Sequence, residues 1–308
     1  MSGNVPRGLE TDLILDRRRL KRRLVFWRIV AVLAVAAVVI ALARPGGVAL
    51  SHIARVNVTG LITDDREQLN LIDALGRDSR VAAVLVSIDS PGGAVGGGEA
   101  LYAAFKQLAA RKPVVAVMRG TAASAGYMAA LPANRIFARE GTLTGSIGVI
   151  LEAPEIGGLL SKLGADVQVV KSGPLKDQPS FTAPLTPAGQ AYLQGVVNDL
   201  FDQFVGRVAD ARHLDPARVR ELADGRAYTG RQALALSLVD QIGGEPEARD
   251  WLAAERHVSR SLPVRDARPG NAFSRAMAST VSDVSRALAE RFPAGPAALA
   301  LWLGVSPH

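Results

Sequence analysis

Apolar positions along this chain form runs of different length and period, and each kind predicts a different element. The longest run, Leu24 to Ala43, is apolar throughout except for Arg28. Shorter runs, alternating or nearly continuous, predict strands at Ile53–Thr59, Val81–Ile88, Val114–Met118, Arg135–Ala138 and Asp166–Val170. Val81–Ile88 is almost wholly apolar, the pattern of a strand buried on both faces. A further glycine-punctuated turn and strand is expected within Gly141–Ile150. Helical patterning predicts helices over Asp64–Arg77, Glu99–Ala110, Tyr127–Leu131, Pro154–Leu163, Ala188–Arg212, Pro216–Ala223 and Gly230–Ser237. Strands alternating with helices predict an α/β domain with a mostly parallel sheet.

The run Leu24–Ala43 has about the 20 residues a helix needs to cross a bilayer. The basic cluster Arg17 to Arg23 precedes it directly. By the positive-inside rule, that cluster holds the N-terminus in the cytoplasm and sends the rest of the chain across the inner membrane. The expected organisation is a basic cytoplasmic segment (1–23), a transmembrane helix (24–43), a catalytic domain (48–256) and a tail (257–308). Leu262–Asn271 reads as a polar linker, and Phe273–Phe292 as a candidate amphipathic helix. A cleaved signal peptide is the alternative at the N-terminus, because Ala41-Leu42-Ala43 fits a cleavage site. The long basic region and long apolar run favour a retained anchor.

Composition narrows the chemistry. The chain has no cysteine, which excludes disulfides and thiolate catalysis. The net charge of +7 is concentrated in the first residues, so it speaks for a membrane-proximal segment rather than for nucleic acid. No histidine–carboxylate cluster has metal-ligand spacing, and no G-x-G-x-x-G or G-K-[ST] loop is present, so neither metal nor nucleotide cofactor is expected.

The stretch Arg119–Met128 carries the candidate chemistry. A strand runs into small residues around one hydroxyl, Ser124, and a helix follows. Strand, tight turn, serine and helix together expose a nucleophile at the end of a sheet. Its base is not an obvious histidine, since none of the four stands in a glycine-rich turn after a strand. A desolvated lysine can serve instead; lowering a lysine pKa from ~10.4 to about 8 costs roughly 3 kcal/mol. Lys171 and Lys176, both in the turn K-S-G-P-L-K-D, are the candidates.

The set S-P-G-G, A-A-S-A-G-Y, T-G-S-I-G-V-I and K-S-G-P-L-K-D, in that order, resembles the bacterial signal peptide peptidase A family over about Ile53 to Gly244. The resemblance implies a Clp/crotonase-like repeated β-β-α core and a membrane-anchored serine peptidase with a Ser/Lys dyad. It implies Ser124 as nucleophile and Lys176, not Lys171, as general base. It further implies Ser146 as an orienting hydroxyl and the Gly93 N–H as an oxyanion donor. The Ala125 N–H, next to the nucleophile, is the second donor. Ala125 stands where the family usually has glycine, and it supplies the same N–H. Hydrophobic peptides such as signal-peptide remnants are the implied substrates, and a homo-oligomer the implied assembly. The competing expectations are a crotonase-type acyl-CoA enzyme and a non-catalytic membrane scaffold of the same fold. The anchor and the paired Ser124 and Lys176 weigh against both.

Overall fold

Strand β3 (Val114–Ala123) stands at the centre of the sheet, and its two halves have different neighbours. In the computed structural model, which describes residues 25–32 and 51–268, Val115–Met118 pair with β4 (Arg135–Ala138), whereas Thr121–Ala123 pair with β5 (Leu143–Gly145). On its other side β3 pairs in parallel with β2 (Val81–Gly93), which pairs in parallel with β1 (His52–Ile62). The register slips between Ile88 and Ser90, so the sheet bends before it reaches the ends of these strands. The sheet has eight strands in the order β6-β5-β3-β2-β1-β8, with β4 and β7 (Gln241–Ile242) off that path. Among the described residues only the pair of β5 with β6 (Ala227–Thr229) is antiparallel. Through the first three helices the element order is one strand to one helix, β2 and β3 each being long and crossing the bend.

Period-two alternation along the strands feeds two layers. Val84, Val86, Ile88, Val114, Ala116 and Met118 face one core, shared with helices α1 (Arg66–Arg77), α2 (Val95–Ala109) and α3 (Ala125–Ala130). Ala83, Leu85, Val115, Val117 and Phe137 face the other, covered by Ala248 and Leu252 of helix α8 (Glu245–Arg256). Helix α1 starts at an Asp65 cap that accepts from the backbone N–H groups of Glu67 and Gln68. Between α3 and α8 lie α4 (Gly157–Lys162), α5 (Pro187–Arg212), α6 (Pro216–Leu222) and α7 (Gly230–Ala235).

Several elements depart from the sequence expectation, each for a physical reason. Helix α8 was not anticipated, because only Ala248, Trp251 and Leu252 turn inward from an otherwise charged segment. Leu262–Asn271, expected as a linker, contains strand β8 (Val264–Asp266), which pairs with Ile53–Arg55 at the edge of β1. The compact unit accordingly runs Leu50–Pro269. Asp166–Val170, expected as a strand, joins no ladder. Val167, Val169 and Val170 are exposed, so the apolar alternation there faces no core among the described residues. The helix expected at Pro154–Leu163 shrinks to α4 for the same reason, with no residue buried. Residues 149–186 form an excursion from the domain, closed at its base by a hydrogen bond from Ile156 N to Phe181 O at 2.8 Å.

Of the run Leu24–Ala43, residues 25–32 are helical with Phe26, Trp27 and Ile29 exposed, and the remainder lies outside the described residues. Among the described residues no helix is long and apolar enough to cross a membrane. The candidate amphipathic helix Phe273–Phe292 also lies outside them.

A buried ion pair ties α5 to the strands. Arg212 Nη2 donates to Asp240 Oδ1 at 2.6 Å, and Asp240 Oδ2 accepts from the Ile136 N–H at 2.7 Å. Asp240→Ala would leave the Ile136 N–H without a partner and the mostly buried guanidinium with its Nε bond to Ser237 O alone. We expect it to lower unfolding stability by about 3–5 kcal/mol, measured by urea denaturation.

Candidate active site

Ser124 occupies the single residue between β3 and α3, with φ 53° and ψ −121°. A non-glycine residue in that backbone region costs on the order of 1–3 kcal/mol and persists only where its surroundings over-determine it. The surroundings here do so from several sides. Its N–H donates to Gly145 O at 2.9 Å, extending the β3–β5 ladder past Ala123, and its carbonyl accepts from Met128 N at 2.9 Å. Thr144, fully buried, donates from Oγ1 to Ala122 O at 2.7 Å and locks β5 to β3 just before the serine. Helix α3 is buried along its whole length, and Tyr127 pins it by donating from its hydroxyl to Leu238 O at 2.8 Å. Burial pushes the Tyr127 phenol well above its ordinary range, so it stays a donor. The Ser124 side chain does not cap α3 and makes no hydrogen bond among the described residues. The hydroxyl is half-buried and free.

The turn Ser90-Pro91-Gly92-Gly93 lies against this junction. A side chain at Gly92 would come within 2.8 Å of Ser124 Cβ and 3.2 Å of Ala125 N, so only glycine allows the approach. Gly92 also has φ +113°, which L side chains rarely adopt. Gly98, in the first turn of α2, meets Ala125 in the same way: an added Cβ would lie 2.9 Å from Ala125 Cβ. The glycines that follow the turn thus include one that seats α2 on the start of α3.

Ser146 directly follows the Gly145 carbonyl that holds Ser124, has φ 47°, and anchors its own N–H on Arg226 O at 3.0 Å. Gly145 is pressed on by Tyr228, whose ring carbon Cδ2 would be 2.7 Å from a Cβ there. Tyr228 is fixed in turn by donating its hydroxyl to Leu222 O at 2.9 Å. The chain therefore brings together Ser124, Ala125, the Gly92–Gly93 turn and Ser146. Among the described residues no hydrogen bond joins them to Lys176. That residue lies exposed in the excursion 149–186, its N–H bonded to Gly173 O at 3.2 Å, and its ammonium meets no partner among the described residues. Lys171 faces Asp177 at 4.0 Å. Ser90, Thr144 and Tyr228 are the residues missed from the sequence. Ser90 and Thr144 do stand inside motifs already noticed, but their burial and partners come only from strand pairing.

A free serine hydroxyl at a strained strand–helix junction beside a glycine turn defines the class as a serine peptidase built on a mixed α/β sheet. The comparisons agree. The family model for peptidase family S49 matches residues 106–259, half of the chain, and that for Clp protease matches residues 48–142. A Synechocystis sp. protein with a protease name is 44% identical over 203 residues, covering 65% of this chain and 73% of the relative. Protease 4 of Salmonella typhi is 38% identical over 172 residues, 56% of this chain and 28% of its own length. The chloroplastic serine protease SPPA of Arabidopsis thaliana is 30% identical over 206 residues, 67% of this chain and 30% of its own length. The chain belongs to peptidase family S49.

The Gly92 contact is testable. Gly92→Ala forces a Cβ into Ser124 and a side chain into a strained backbone. We expect peptide hydrolysis to fall at least ~100-fold, with the circular dichroism spectrum of the domain retained.

Proposed function

We propose that this protein is a membrane-anchored serine endopeptidase with a Ser124/Lys176 dyad that hydrolyses hydrophobic peptides such as signal-peptide remnants. The observation that carries the reading is the free Ser124 hydroxyl on its strained junction, against the Gly92–Gly93 turn. In this mechanism Ser124 Oγ attacks the scissile carbonyl while the Lys176 amine takes its proton. The N–H groups of Gly93 and Ala125 receive the developing oxyanion, and Ser146 orients the amine. Collapse expels the leaving amine, which takes a proton from the lysine. Water activated by the same lysine then releases the acyl group.

Only a neutral amine has the lone pair that takes the serine proton, and removal from water favours the neutral form of a lysine. The dyad therefore requires Lys176 to be taken out of solvent. Assembly into a homo-oligomer supplies the means. The excursion that carries Lys176 is lined with exposed apolar side chains: Ile150, Leu159, Leu163, Val170 and Phe181 are each more than half exposed. Surfaces of this kind mark contact with another chain, and the unpaired run Asp166–Val170 offers strand edges for such contact. Burying the excursion between subunits would carry Lys176 out of solvent with it. The apolar run Leu24–Ala43 would hold the domain at the inner membrane, with the Arg17–Arg23 cluster in the cytoplasm and the catalytic domain outside it.

Labelling by a serine-directed fluorophosphonate tests the nucleophile. The wild-type chain should label and Ser124→Ala should not. Lys176→Ala should lower peptide hydrolysis at least ~1000-fold with the fold intact; near-normal turnover by this variant would refute the dyad. Because the base must be a neutral amine, the wild-type rate should rise with pH, and a rate flat into the alkaline range would exclude a lysine. Val167→Asp with Val170→Asp should shift the protein to smaller species on size-exclusion chromatography and lower activity in parallel. Full activity in the dissociated species would separate catalysis from assembly.

A further inference from the structure

We infer that Ser90 is a positioning residue for the oxyanion hole, its buried hydroxyl bracing the bulge that carries the Gly92–Gly93 peptide. This rests on the reading that the Gly93 N–H is an oxyanion donor.

The pairing of β1 with β2 is regular until Thr59 faces Asp89, and it resumes with Leu61 facing Gly92. One residue of β1, Gly60, is therefore opposed by two of β2, Ser90 and Pro91. A bulge of this kind interrupts the ladder, and Pro91 has no N–H with which to repair it. The Ser90 side chain does the repair. With no exposed surface, it donates from Oγ to Gly60 O at 2.6 Å and accepts from Gly92 N at 3.1 Å. The Gly92 carbonyl oxygen lies 3.4 Å from the same hydroxyl.

That last contact is not a third hydrogen bond, because the one hydroxyl proton goes to Gly60 O. The pairing of Ile62 with Gly93, closed by Ala94 N donating to Ile62 O at 2.9 Å, aims the Gly92 carbonyl at the Ile62 N–H. The Gly92 carbonyl and the Gly93 N–H belong to one peptide unit, which is trans, because the cis bond in the described chain is Gln178–Pro179. In a trans unit the carbonyl and the N–H point in opposite directions. A Gly92 carbonyl turned onto β1 leaves the Gly93 N–H turned away from β1, on the exposed side of the turn. Neither glycine can hold that orientation through a side chain of its own. A Cβ on Gly92 would strike Ser124, and one on Gly93 would lie 2.1 Å from Ile62 O. Ser90 is thus the side chain that links the bulge, the peptide bearing the donor, and, through Gly92, the nucleophile. Ser90→Ala would strip Gly92 N, in a buried residue, of its side-chain acceptor and Gly60 O of its donor, loosening the bulge on which the donor peptide is seated.

The test uses the full chain with a hydrophobic peptide substrate. Removing an oxyanion donor costs about 10²–10³ in kcat, so loosening one should cost about 10- to 100-fold. For Ser90→Ala we expect that loss in kcat, with KM within about twofold of wild type and the pH midpoint unmoved. Ser90→Thr, which keeps the hydroxyl, should recover most of the rate. If Ser90→Ala does not fold, Ser90→Cys, of similar volume and weaker hydrogen bonding, is held to the same limits. The Gly93 amide proton, followed in ¹⁵N-glycine-labelled protein carrying a peptide boronate on Ser124, separates the two readings. It should move downfield in wild type and less in Ser90→Ala. A wild-type amide that the boronate leaves unmoved overturns the oxyanion reading and the role of Ser90 with it. A moved amide together with a Ser90→Ala kcat within about twofold of wild type overturns the role of Ser90 alone. A loss that comes through KM, or with a displaced pH midpoint, also overturns it.

Discussion

The hydrogen bond from Ser124 N–H to the Gly145 carbonyl is the constraint on which the site depends. It carries the β3–β5 ladder one residue beyond the strand and holds the serine at a positive φ from which α3 can begin. It also sets the neighbour on each side. Ser146 follows the accepting carbonyl, and Ala125 follows the donating amide. Around it, small or absent side chains permit the backbone approaches, and buried hydroxyls hold them. Thr144, Tyr127, Tyr228 and Ser90 each spend a side-chain hydroxyl on a backbone carbonyl at the junction or one layer behind it. Ser124 keeps its own hydroxyl unspent.

The domain is divided by burial. The sheet and its two cores hold Ser124, Ala125, Ser146 and the glycine turn rigidly, whereas the excursion 149–186 holds Lys176 and exposes most of its apolar residues. Exposed apolar surface of this kind is the mark of a contact site. On the proposed reading the partner at that site is another copy of the chain. Nucleophile and base then belong to parts of the molecule with different requirements: one needs a strained, fully packed junction, the other needs contact to take it out of water.

Legibility in the sequence followed how local each determinant is. Strands β1 to β4 and helices α1, α2, α5 and α6 were readable because each carries its own apolar period, and α1, α5 and α6 also carry side-chain caps at Asp65, Thr186 and Asp215. The strand expected at Asp166–Val170 carries the same period and forms no ladder, since periodicity records a buried face without saying which chain buries it. The reverse holds for β8. Val264–Asp266 looks like linker and becomes a strand because the edge of β1 is open beside it. Ser90 was visible in S-P-G-G as a letter of a motif. Its function as a brace depends on a register slip between β1 and β2, which no local pattern encodes.

The sequence by itself determined the chemical inventory and the order of the motifs: a hydroxyl among small residues, two glycine turns, two candidate lysines, no cysteine, and a long apolar run behind a basic cluster. Those follow from residue identity and spacing, and no folding is needed to read them. Only the tertiary structure decided that Ser124 is strained, that Gly92 touches it, that Ser146 sits on the carbonyl that holds it, and that Lys176 is exposed. The physical reason is that these facts are relations between strands distant in sequence. They are set by register and by close approach of backbones, and neither is a property of a residue on its own.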